Sequence, residues 1–105
     1  RNGDNNGRHW RMAMRGGWFS YMLKSKGNEV RFVRVICTGR EGAQATVTMN
    51  GIEAGTIQTA TPNTEETFMV PVPEELMKSD QLTVSFSSAE NGMSPMFYEV
   101  RLVKE

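Results

Sequence analysis

Two kinds of residue in this sequence are suited to chemistry: acids in adjacent pairs, and aromatics interleaved with arginines. The acid pairs are Glu65-Glu66 and Glu74-Glu75, and glycoside hydrolysis uses two carboxylates flanking the scissile bond. Both pairs fall in stretches that read as a loop and a connector, where acids are ordinarily solvated, so neither is expected to be catalytic. One cysteine, Cys37, and one histidine, His9, leave no set for an internal disulfide, a thiolate metal cluster or the usual histidine-based metal and nucleophile sites. Cys37 lies in an apolar run and reads as a small buried hydrophobe. No glycine-rich phosphate loop follows a strand, and no Ser/His/Asp ordering stands out. The expectation is a chain with no catalytic residue, no metal and no cofactor.

The second group is the segment Trp10–Tyr21, which holds both tryptophans, Tyr21, Arg11 and Arg15, with Arg8 just before it. Aromatic rings bracketed by guanidinium donors suit a flat surface on which a sugar or a base would stack. The other reading is that Trp10 and Trp18 seal one end of the fold while the arginines are solvated or paired with acids.

Charge is unevenly placed along the chain. Residues 1–40 hold nine Lys/Arg and two acids, residues 41–105 three Lys/Arg and ten acids, so a surplus of seven on each side cancels to a formal net charge of zero. The cations are spread through candidate strands rather than gathered in a run. Interleaving of the two halves within a sheet is therefore expected in place of a phosphate-binding face, and neither nucleic acid nor membrane is expected as a partner. No segment is apolar over a membrane-spanning length.

The elements that must position these residues read as strands. Trp18–Lys24 alternates with Phe19, Tyr21 and Leu23 on one face, and partial cover of both faces makes this strand central. Gly16-Gly17 supplies the sharp bend before it. Glu29–Thr38 is a long strand with either two partly covered faces or a bulge near Arg34. Ala45–Met49, Asn50-Gly51 and the return from Ile52 form a hairpin with a type I′ turn. Thr67–Val72, Gln81–Ser87 and Met96–Val103 complete the set, the last with Tyr98, Val100 and Leu102 aligned, and Pro73–Lys78 is a short helical connector. Phe19, Tyr21, Val47, Val84, Phe86, Val100 and Leu102 are the expected core. Residues 1–8 contain nothing apolar and read as a flexible leader or linker, and 9–105 as a single domain cut from a larger protein. Short strands at regular spacing, almost without helix, give an all-β fold: an antiparallel β-sandwich or jelly roll, galactose-binding-like. At 105 residues such a domain buries roughly 65% of its unfolded surface.

Several segments together resemble a known family: Gly7-Arg8-His9-Trp10-Arg11-Met12-Ala13, Gly16-Gly17-Trp18-Phe19-Ser20-Tyr21, Asn50-Gly51, Val72-Pro73-Glu74-Glu75-Leu76, Leu82-Thr83-Val84-Ser85-Phe86 and Tyr98-Glu99-Val100-Arg101-Leu102. They are similar to the accessory β-sandwich, or substrate-binding, domain beside the catalytic domain in glycoside hydrolase families 127 and 146, β-L-arabinofuranosidases and their relatives. The resemblance runs from about Gly7 to the end. It implies a non-catalytic module whose partners are the helical-toroid catalytic domain of the same parent chain and an arabinose-containing glycan, in a parent protein that is periplasmic or extracellular. Catalysis in that family uses a cysteine nucleophile with a zinc held by further cysteines and a glutamate in the toroid, which one cysteine cannot reproduce. Where the family tends to have an aromatic pair before a glycine, this chain has Cys37-Thr38-Gly39. The candidate residues for carbohydrate or interdomain contact are Trp10, Arg11, Arg15, Trp18, Tyr21 and Arg101. The alternative is a purely structural interdomain sandwich with no glycan binding.

Overall fold

Asn50 and Gly51 both take left-handed φ, 49° and 83°, the pairing that a type I′ hairpin requires. They join Gln44–Met49 to Ile52–Gln58. The Asn50 side chain continues the sheet where the backbone turns away: its Oδ1 accepts from the Thr83 N–H at 2.7 Å, and its Nδ2 donates to the Gln81 carbonyl at 3.2 Å.

The computed structural model describes residues 1–5 and 8–104. Its strands are β1 (Asn2–Asn5), β2 (Arg8–Arg11), β3 (Trp18–Lys24), β4 (Phe32–Thr38), β5 (Gln44–Met49), β6 (Ile52–Gln58), β7 (Glu65–Pro71), β8 (Gln81–Ser87) and β9 (Met96–Val103), with one 3₁₀ turn at Glu74–Leu76. They form two antiparallel sheets, ordered β1-β2-β9-β4-β7 and β3-β8-β5-β6. The fold is an antiparallel β-sandwich, as the strand spacing predicts.

The inward positions alternate cleanly in the central strands. Val33, Val35 and Cys37 of β4, Val47 and Met49 of β5, and Leu82, Val84 and Phe86 of β8 are fully buried. Phe19 and Phe86 from one sheet and Phe97 from the other meet at centroid distances of 4.4 to 5.5 Å, an aromatic knot across the two layers. Of the expected core, Phe19, Val47, Val84 and Phe86 are buried, while Tyr21, Val100 and Leu102 pack against it from its margin.

Four expectations are corrected. First, β3 is not central: it pairs only with β8 and forms an edge of the four-stranded sheet. Its second face looks partly covered in sequence because Trp18 and Met22 are apolar, yet they are 69% and 64% exposed. Second, Tyr98 does not align with Val100 and Leu102, because β9 carries a bulge in which Ile36 pairs Glu99 and Cys37 pairs Phe97, leaving Tyr98 as the extra residue; β4 itself has both faces partly covered, one of the two readings of that strand. That extra residue lets Phe97 point into the core along with Val100 and Leu102, against the simple alternation. Third, the left-handed pair before β3 is Arg15-Gly16 (φ 51° and 78°) rather than Gly16-Gly17. The turn closes with the Gly17 N–H on the Met14 carbonyl at 2.9 Å, and a Cβ on Gly17 would sit 2.9 Å from that same oxygen. Fourth, the expected leader carries regular structure where it is described: Asn2–Asn5 pairs with Arg8–Arg11, and the Met12 N–H donates to the Arg1 carbonyl at 2.9 Å, while residues 6 and 7 lie outside the described residues. Gly3 stands opposite Trp10, whose indole fills the space a Cβ would need, 2.7 Å from the nearest ring atom. The tryptophan supplies there the apolar cover that the polar leader lacks.

The charge halves interleave as expected. Arg8 and Glu65 form a 2.6 Å ion pair, and Arg34 of β4 lies 3.9 Å from Glu99 of β9.

Candidate functional site

The segment after β2 is tied to the loop before β9. Ala13 and Ser94 exchange two hydrogen bonds: the Ser94 N–H donates to the Ala13 carbonyl at 2.9 Å, and the Ser94 hydroxyl accepts from the Ala13 N–H at 2.8 Å. Met14 bridges Met93, and the Arg15 N–H donates to the Gly92 carbonyl. The turn before β3, the loop 88–95 and the loop 39–43 therefore gather at one end of the sandwich, joined by Asn63, whose N–H donates to the Gly39 carbonyl at 2.8 Å.

A concavity of about 270 Å³ lies at that end. Its apolar wall is Trp10 with Met12, Met14, Met93 and Met96, four of the chain's eight methionines. Its polar wall is Arg1, Thr38, Arg40 and Asn63. A half-buried indole that shares a concavity with hydroxyl, amide and guanidinium groups offers apolar ring surface beside hydrogen-bond donors and acceptors. Thr38 and Met96 alternate with the inward Cys37 and Phe97, so this concavity opens on the outward side of the five-stranded sheet.

The six candidate residues do not form one surface. Trp10 lies in the concavity just described. Trp18 alternates with the inward Phe19 and stands opposite Ser87, so it projects from the outward face of the other sheet. Arg11 points inward: its guanidinium lies 5.1 and 5.0 Å from the ring centroids of Phe19 and Tyr21 and donates to the Ser20 carbonyl at 3.0 Å. Tyr21 packs edge-on against Phe19 and Phe86; burial raises its pKa, and the Arg11 charge works against that rise. Arg15 is exposed on its turn, beside Arg40, Glu41 and Glu90 in a wider depression of about 660 Å³. Arg101 sits on β9, 3.7 Å from Glu99, five positions beyond Met96 and roughly 16 Å from it at the rise of a strand. Neither tryptophan seals the sandwich core, which the three phenylalanines close.

The acid pairs have ordinary surroundings. Glu65 pairs with Arg8, Glu66 accepts from the Ala60 and Thr61 N–H groups, and Glu74 and Glu75 are exposed on the 3₁₀ turn. Cys37 is fully buried, and burial pushes its thiol up to about 12. Among the described residues no group of three or more His, Cys, Asp or Glu side chains could hold a metal ion, and no helix is long and apolar enough to cross a membrane.

Sequence reasoning missed Thr38, Arg40, Asn63, Met93 and Met96, which come from the end of β4, the start of β9 and three separated loops. The one available signal was the surplus of methionine beside a tryptophan.

No curated protein matches this sequence. A family model covers residues 1–103, and the chain belongs to that family, DUF6805, a family of unknown function.

Proposed function

We propose that this chain is a non-catalytic, carbohydrate-associated module of a larger glycoside hydrolase of the β-L-arabinofuranosidase type, and that its sugar contact is the Trp10 concavity. The observation that carries the reading is that Trp10 lines the same concavity of about 270 Å³ as Thr38, Arg40 and Asn63. That is just below the range of about 300–1,000 Å³ usual for small-ligand sites, and so suits a single sugar ring. A furanose presents C–H groups to an aromatic face and hydroxyls around its rim, which matches the two walls. One shallow ring contact must offset the ligand's lost freedom, so affinity is weak. Titration calorimetry with linear arabino-oligosaccharides tests it: the chain binds, and Trp10→Ala and Asn63→Ala each weaken binding. Absence of binding by the folded chain, or unchanged affinity in both variants, would overturn it.

A supporting role towards the helical-toroid catalytic domain is favoured by a separate observation. On the outward face of the five-stranded sheet, Phe32, Ile36, Met69 and Val103 lie on adjacent strands, with Met69 43% exposed. Met69→Asp in the parent hydrolase should lower the melting temperature of the whole protein; an unchanged value would remove that contact.

A further inference from the structure

Three depressions at the loop end adjoin one another. The Trp10 concavity and the wider one beside Arg15 share Met14, Arg40 and Met93. The wider one in turn shares Gly42, Gly92 and Met93 with a third, of about 200 Å³, which Thr46 and Ser87 line. Ser87 stands between Thr46 on one side and Trp18 on the other in the four-stranded sheet. The path therefore begins at one tryptophan on the outward face of one sheet, crosses the loops, and ends beside the other tryptophan on the outward face of the opposite sheet.

We infer that this path is a track for an extended, uncharged glycan chain, with Trp10 holding one sugar and Trp18 a second one several residues away; the inference rests on the carbohydrate reading above. Sheets in a sandwich pack about 10 Å apart, and residues on their two outward faces are further apart still, so a single sugar cannot reach both tryptophans and a chain can. The walls favour a neutral polymer. Arg1, Arg15 and Arg40 are nearly balanced by Glu41 and Glu90, which leaves no strong field for a polyanion. Beyond them the lining turns to the hydroxyls of Thr46, Ser87 and Ser88. Trp18, 69% exposed on the edge strand β3, presents an indole free to stack on a sugar at the end of the track.

The test is the dependence of affinity on chain length, measured with linear arabino-oligosaccharides from disaccharide to octasaccharide on the 105-residue chain. Affinity should rise with length up to the span of the track. Trp18→Ala, which removes an exposed side chain and leaves the core intact, should cost on the order of tenfold on the octasaccharide and nothing on the disaccharide. Trp10→Ala should weaken both. If Trp18→Ala leaves every length unchanged while Trp10→Ala weakens all of them, the track is wrong and the single-sugar site stands. If no oligosaccharide binds, both fail together.

Discussion

The guanidinium of Arg11 on β2 donates to the Ser20 carbonyl on β3 at 3.0 Å, across the open side of the sandwich where the edge of one sheet faces the other. The same group lies over Phe19 and Tyr21, so one arginine satisfies an edge carbonyl and covers two rings of the core. By occupying the Ser20 carbonyl it also blunts the edge strand β3 against pairing with another strand.

Arg11→Ala should therefore destabilise the chain by about 1–3 kcal/mol in urea unfolding, and Arg11→Lys should recover part of that. A loss below about 0.5 kcal/mol would mean that the contact is no more than a surface one.

Phe97→Ala should cost about 3–5 kcal/mol, as much as Phe86→Ala, since the two rings lie 4.4 Å apart in the middle of the core. Val100→Ala, at the margin, should cost less. Equal losses at Phe97 and Val100 would contradict the bulge at Tyr98.

That bulge also marks where the sequence stops being legible. Strand identity from β3 onward, the β5–β6 hairpin and the two-layer architecture follow from period-2 patterning and from Asn50-Gly51, because those signals are local. The facing of β9 does not, because one extra residue reverses the parity and only the partner strand β4 reveals it. The edge position of β3 is hidden for a related reason: an exposed Trp18 or Met22 has the same letter as a buried one. Trp10 and Trp18 are eight residues apart in sequence, yet the turn at Arg15-Gly16 sends the chain from one sheet to the other and places them on opposite faces. The concavity around Trp10 is legible only in that one residue, since the rest of its lining comes from strand ends and loops brought together by tertiary hydrogen bonds.

Two buried hydroxyls should respond in opposite ways. Ser94 is 1% exposed, and its Oγ accepts from the Ala13 N–H and donates to the Pro95 carbonyl, so Ser94→Ala should cost about 1–3 kcal/mol. The Thr59 Oγ1 is buried without a hydrogen-bond partner, so Thr59→Val, which keeps the shape, should leave stability unchanged or raise it. Chemical denaturation of both variants checks the pair, and the reverse order would contradict the contacts at these sites.

Alkaline pH should weaken the fold partly through Cys37. Its thiol ionises near 9.0 in a solvated chain and is pushed up to about 12 by burial. The unfolded chain therefore loses that proton first, and stability falls as pH rises from about 9 towards 12. Below 9 both states hold the proton and the contribution is flat. Cys37→Ala should show a shallower decline over that window than the native chain; identical slopes would remove the thiol from the account.

The claim that Trp10 is the sugar contact is tested most directly by the two indole N–H signals in a proton–nitrogen correlation spectrum. With one tryptophan on each outward face, the two signals report on separate surfaces. Titrating an arabinose disaccharide should move the Trp10 signal in a saturable way and leave the Trp18 signal in place. A Trp10 signal that stays fixed, whether or not Trp18 moves, would contradict the account.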